Sequence, residues 1–266
     1  MSVRVALTGI GFAAPGLRDW AAARAVLAGA APYVRAPLEA RVPAALPAAE
    51  RRRAGAVTRL AIAVGQEAAA RAEGATLATV FASSDGDGET IHQICTSLAT
   101  PAPEISPTRF HNSVQNAASG YWSIAMQSHA PTTTLNGLDG VLASALLEAA
   151  VQAATEVREV LMVAYDLPVP APLHALHPVE DGAGVALLLA PAGAPGRLAT
   201  LGVALGAGAE TRMAAPALEA LRCANPALRA LPVLRAVASG ENATVALPFD
   251  DGGALLVTVD GAGRAL

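Results

Sequence analysis

Apolar residues fall along the chain in two rhythms. Short runs at Val3–Thr8, Leu77–Ser83, Thr132–Leu135, Gly184–Leu189 and Leu198–Leu205 read as strands, most of them apolar on both faces, as buried strands are. Between them, Asp19–Ala28, Ala49–Ala72, Gly86–Leu98, Asn112–Gln127, Val141–Val157 and Ala215–Cys223 read as helices. The helix at Val141 carries Val141, Leu142, Ala145, Leu146 and Ala149 at helical spacing. A hairpin-like pair at Thr244–Pro248 and Ala254–Val259 closes the pattern, and proline-rich stretches at Pro32–Pro47 and Pro168–Pro178 read as loops. Strands alternating with helices predict an α/β fold.

Composition narrows the function classes. With 266 residues and 53% hydrophobic content the chain can bury a large core as one compact unit. All 18 basic residues are arginine, which excludes Schiff-base chemistry and a lysine-dependent phosphate loop. A net charge of -4, with Arg51-Arg52-Arg53 as the one basic run, argues against nucleic acid. That triplet reads as a solvated face or a modest docking site for an acidic carrier protein. Cys95 and Cys223 are too few for a disulfide framework or a metal cluster, and the reading is a reducing, cytoplasmic compartment. The N-terminus lacks the pattern of a signal peptide and no run of 18 apolar residues occurs, so no membrane association is expected.

Several constellations invite chemistry and have plainer explanations. Gly9-Ile10-Gly11-Phe12-Ala13-Ala14 fits a dinucleotide fingerprint, but Pro15-Gly16 breaks the required helix and no acid follows about 20 positions on. No cofactor is therefore expected. His174 and His177 sit in a proline-rich loop with no helix to align them on a metal. His111, Ser113 and Asp139 could be assembled into a triad, but Gly-x-Ser-x-Gly is absent. Asp85 and Asp87 read as capping acids for the helix that follows, on which Ile91, Ile94, Cys95 and Leu98 form one apolar stripe.

The stretch Arg109 to Asp166 carries a resemblance to a known family. HNSVQNAASG opens a helix, His129-Ala130-Pro131 breaks it, Thr132–Leu135 forms a strand, and the turn Leu135-Asn136-Gly137-Leu138-Asp139-Gly140 feeds a long helix. This order resembles the nucleophile-bearing core of the β-ketoacyl synthases, in which the turn holds a cysteine. Here Gly137 stands at the cysteine position. Gly9 to Ala14 is similar to the opening strand of that family, and Glu180-Asp181-Gly182-Ala183-Gly184 to Leu189 resembles the strand that closes its N-terminal half. The resemblance covers about the first 190 residues.

What the resemblance implies is a thiolase-like layered α/β fold, with residues 1–190 as a near-complete N-terminal half and 191–266 as a strongly shortened C-terminal remnant packed on it. The family's C-terminal half carries two catalytic histidines, whereas no histidine follows His177 here. The chain is thus similar to the compact chain-length factors of aryl-polyene and xanthomonadin-type pigment clusters. These are non-catalytic subunits that pair with a full-length β-ketoacyl synthase, with an acyl carrier protein engaged indirectly. By the same resemblance, Ile91, Ile94, Cys95 and Leu98 are candidates for the acyl tunnel. Asn112, Trp122, Met126, Thr132, Thr133, Thr134 and Leu135 are candidates for the dimer interface. Two alternatives stay open: an autonomous acyltransferase or hydrolase with another nucleophile, and a non-catalytic acyl-binding homodimer.

Overall fold

A computed structural model describes residues 2–249 and 252–261. Eight strands form one mixed sheet: β1 (Ser2–Ala13), β2 (Ala78–Ser83), β3 (Thr132–Asn136), β4 (Val160–Asp166), β5 (Ala183–Pro191), β6 (Ala199–Ala207), β7 (Ala243–Pro248) and β8 (Gly253–Gly261). Their order across the sheet is β3-β2-β4-β5-β1-β6-β8-β7. β2 runs parallel to β3 and β4, and the remaining pairs are antiparallel. The three strands after Pro191 extend the same sheet beyond β1.

Helices cover both faces. On one lie α1 (Trp20–Leu27), α7 (Val141–Thr155), α9 (Pro216–Cys223), a 3-10 turn at Pro226–Ala230, and α10 (Leu231–Ser239). On the other lie α3 (Ala56–Ala68) and α6 (Ala117–Met126). Strand β4 shows why its sequence is apolar throughout: Val160, Met162 and Ala164 face the α7 side, while Leu161, Val163 and Tyr165 face the α3 side. The α7 positions expected to pack are all buried. Under α3 the core is aromatic. Trp122 and Tyr165 each stand 6.2 Å from Phe81 in tilted and edge-on arrangements, contacts worth about 0.5–1.5 kcal/mol each beyond area burial.

The structure corrects several expected boundaries. The predicted helix Ala49–Ala72 is two helices, α2 (Ala48–Arg53) and α3, separated where Ala54 and Gly55 are extended. The predicted helix Asn112–Gln127 is likewise divided. A short α5 (Pro107–Asn112) ends where it was expected to begin, and α6 starts only at Ala117. Its end comes at Gln127 in the left-handed conformation (φ 52°), ahead of the proline expected to break it. β1 runs on to Ala13, so Gly9 and Gly11 lie within a strand. A Cβ at either would collide with the carbonyl of Ala68 or Val64 in α3. These glycines let helix and strand approach closely. α8 (Leu173–Leu176) and α10 are further helices that the pattern did not reveal.

The two sheet edges differ. At β7, Thr211 N–H donates to the Ala246 carbonyl and Thr211 Oγ1 accepts from Ala246 N–H, each at 2.9 Å, so a loop covers that edge. At β3, among the described residues, no backbone group pairs with the outer side. An uncovered edge strand is a template for another chain.

Candidate functional site

The turn at Gly137 lies between the end of β3 and the start of α7. Gly137 is exposed, and a Cβ there would meet nothing within 4 Å. The rest of the turn is anchored. Gly140 packs so tightly on Phe249 that any Cβ would collide with its carbonyl oxygen, and Asp139 Oδ1 lies 3.5 Å from Arg229 Nη2. Arg229 is in turn 3.4 Å from Glu210, which also pairs with Arg222. The Arg222 side chain is almost wholly buried and donates to both oxygens of Glu219 at 2.8 and 2.7 Å. Those hydrogen bonds draw the Glu219 carboxyl down to about 2. An ionic network centred on the buried Arg222 therefore ties the segment 210–229 to the turn.

α7 starts with no side-chain cap and no acid in its first turn, so its positive end is left uncancelled. That feature would favour a thiolate or an oxyanion, but residues 135–140 contain no thiol, hydroxyl or amine that could attack an acyl group.

Beside this turn, at the carboxyl end of β2, lies a polar cluster that the sequence did not disclose. Asp166 Oδ1 accepts from Ser83 Oγ at 2.7 Å and from Ser84 N–H at 2.8 Å, and Ser83 Oγ accepts from Gly86 N–H. Burial pushes the Asp166 carboxyl up to about 6, although the bonds from Ser83 and Ser84 act against the rise. One step outward, Asp85 Oδ2 meets both Ser84 Oγ at 3.0 Å and His177 Nδ1 at 2.8 Å. The acid stands between serine and histidine, so the imidazole is not placed to take the serine proton. Asp87 caps α4 (Gly88–Leu98) by accepting from Thr90 N–H, in agreement with the capping role expected for it. The Asp85–His177 pair spans 92 positions, and no local spacing could have signalled it.

The candidate interface residues separate into two groups. Thr132, Thr133, Thr134 and Leu135 lie on the open β3 edge, all exposed or half-buried. Thr134 leans toward α6, with Ser119 Oγ 3.3 Å away, and Thr133 accepts from Gln152 of α7. Trp122 and Asn112 are corrections. Trp122 is 1% exposed, packed against Phe81 and Gly65, and Asn112 is spent on the Arg53 carbonyl and the Tyr121 hydroxyl. Both serve the chain's own core, because α6 turns its aromatic face inward onto Gly65. Met126 is half-buried against Gly74. Leu138, just past the end of β3, is exposed, and Ile124 of α6 is exposed beside Pro107, His111 and Tyr121.

The candidate tunnel residues share one helix. Ile91 and Ile94 are half-buried, while Cys95 and Leu98 are exposed, and only Gly88 and Thr90 of α4 are buried. The stripe thus lies outside the core of this chain, next to α5, with Ile105, Phe110 and Val114 also exposed nearby in sequence. The His111, Ser113 and Asp139 constellation does not assemble. His111 stacks edge-on with Tyr121, Ser113 donates to the Phe110 carbonyl, and Asp139 faces Arg229. Both cysteines are exposed and free, and α2, with its arginine triplet, buries no residue. Among the described residues no group of three metal-ligating side chains occurs, and no helix is long and apolar enough to cross a membrane.

Comparisons with known proteins bear on this geometry. Residues 19–246 match the family described as beta-ketoacyl synthase, N-terminal domain. No curated protein matches the sequence. Among solved structures, one chain of the complex of the ketosynthase ApeO with its chain length factor ApeC from Xenorhabdus doucetiae superposes with a TM-score of 0.73. It is 24% identical, and the match covers 96% of this chain and 98% of that one. A chain of the ishigamide ketosynthase/chain length factor gives a TM-score of 0.73 at 16% identity, covering 98% and 100%. A chain of AntDE:AntF, a type II PKS acyl-carrier protein in complex with its ketosynthase bound to the hexaketide, gives 0.77 at 13% identity, again covering 98% and 100%. At such identities the likeness establishes the layered fold.

Proposed function

The chain belongs to the β-ketoacyl synthase N-terminal domain family, and within it we propose that the protein is a non-catalytic, chain-length-factor-like subunit that pairs with an active β-ketoacyl synthase. The observation that carries this reading is the turn at Gly137. The strand, the turn and the following helix are kept in place, while the position that would attack an acyl donor has no side chain. A thioester must form on a nucleophile before condensation can proceed, and this turn offers none.

Pairing gives the retained scaffold a purpose. The open β3 edge, followed by Leu138 at 60% exposure, suits an obligate partner that continues the sheet. A full-length synthase from the same biosynthetic system is the proposed partner, and it would receive the acyl carrier protein directly. The exposed apolar stripe on α4 supports a wall of an acyl tunnel completed by the second chain. The proposed setting is fatty-acid or polyketide-type elongation of the aryl-polyene kind. That similar solved structures include chains of ketosynthase/chain length factor complexes, matched over nearly their whole length, is in keeping with this assignment.

Reconstitution tests the proposal. Malonyl-dependent elongation on a carrier should require the chain together with a ketosynthase, and intact-mass spectrometry should find the acyl group on the synthase alone. A stoichiometric acyl adduct on this chain would contradict the non-catalytic reading.

A further inference from the structure

Helix α4 stands almost free of the core, since Gly88 and Thr90 are its only buried residues. A helix held so lightly takes its direction from its root. Two residues of the proline-rich loop 168–178 reach that root. Val169, itself buried, sits on Gly88 so closely that any Cβ there would collide with its side chain. His177 binds Asp85, two residues before the cap of α4, and this pair is mostly shielded, with side chains 16% and 25% exposed. From the inner side, Asp166 fixes Ser83 and Ser84. The turn that launches α4 is therefore gripped between a buried carboxyl on β4 and an outer loop. That loop also carries Leu176, 83% exposed.

We propose that loop 168–178 is a strap whose residues Val169 and His177 position α4. The inner grip alone holds only Ser83 and Ser84; the outer one acts on Asp85 and on the first residue of the helix. Loosening the outer contacts leaves α4 attached but free to swing, because nothing beyond its first turn is anchored in the core. Shielding makes the Asp85–His177 bond more effective than a surface pair, and the Val169–Gly88 contact supplies a second point that fixes direction. Where α4 walls an acyl tunnel, the strap sets the depth of that tunnel. This consequence rests on the function proposed above, whereas the strap itself does not.

Hydrogen exchange of the full chain separates the two. His177→Ala and Val169→Ala should each speed exchange of amides 88–98 by about tenfold, with β4, β5 and α7 unchanged. His177→Asn, which keeps a donor for Asp85, should restore protection. Unchanged exchange in α4, or equal acceleration through the core strands, would overturn the strap. In the reconstituted complex, His177→Ala should broaden the distribution of product lengths and His177→Asn should restore it. If α4 loosens as expected while the products keep their lengths, the strap stands and the tunnel reading of α4 fails.

Discussion

The carbonyl oxygen of Phe249 lies so close to the Cα of Gly140 that no side chain fits between them. Through this contact the end of β7 is seated on the start of α7, beside the turn that holds Gly137. Gly140→Ala should therefore cost about 1–3 kcal/mol in urea unfolding, as overpacking does. Gly137→Ala, which projects into open space, should stay within about 0.5 kcal/mol. Similar losses at both positions would show that the hairpin is not seated there.

Asp166 makes a pH prediction. Burial raises its carboxyl from 3.8 to about 6 in the folded chain. A value raised on folding means that the fold favours the protonated acid. Its contribution is fully present below about pH 4 and is lost as pH rises through about 6. Relative to Asp166→Asn, the wild type should lose up to about 3 kcal/mol between pH 4 and pH 8. Parallel stability curves for the two proteins over that range would contradict the assignment.

Two neighbouring residues of α6 should separate folding from pairing. Trp122 belongs to the aromatic core, so Trp122→Ala should destabilise the isolated chain by about 3–5 kcal/mol. Ile124 is exposed on α6, so Ile124→Asp should leave unfolding within about 0.5 kcal/mol and weaken association with the synthase at least about tenfold. Chemical denaturation and titration binding measurements check the pair. If Ile124→Asp binds as tightly as wild type, the exposed side of α6 is not part of the contact.

Ile91 should act on product length. Ile91→Trp should shorten the longest product of the reconstituted complex, because added bulk in a packed wall costs about 1–3 kcal/mol, and Ile91→Ala should admit a longer one. Mass spectrometry of the products decides this. Wild-type lengths from both variants, each paired normally, would remove Ile91 from the tunnel.

The parts of this account that were legible in sequence are those with a local signature. β5 and α7 announced themselves because both faces of one and the packed face of the other are apolar in contiguous residues, whereas β4 was not read as a strand. The strand and helix on either side of Gly137 were legible because they keep their order. Boundaries set by tertiary contact were not. Nothing in the run Ala49–Ala72 marks the break at Gly55, which lies over the Asp87 carboxylate. Trp122 was a candidate for the interface because the resemblance puts its helix there, but Gly65, distant in sequence, provides the pocket that draws it inward. The Asp85–His177, Arg222–Glu210 and Arg229–Asp139 pairs join residues whose separation carries no periodicity, and only the fold discloses them.

A chain that forms half of a condensing enzyme has a fixed stoichiometry with its synthase. Co-expressed with the ketosynthase of its own biosynthetic cluster, the chain should elute in size-exclusion chromatography with light scattering as a one-to-one complex. An obligate interface of this kind buries at least about 2,000 Å² and should survive dilution. A stable monomer, or a homodimer that ignores the synthase, would contradict the account.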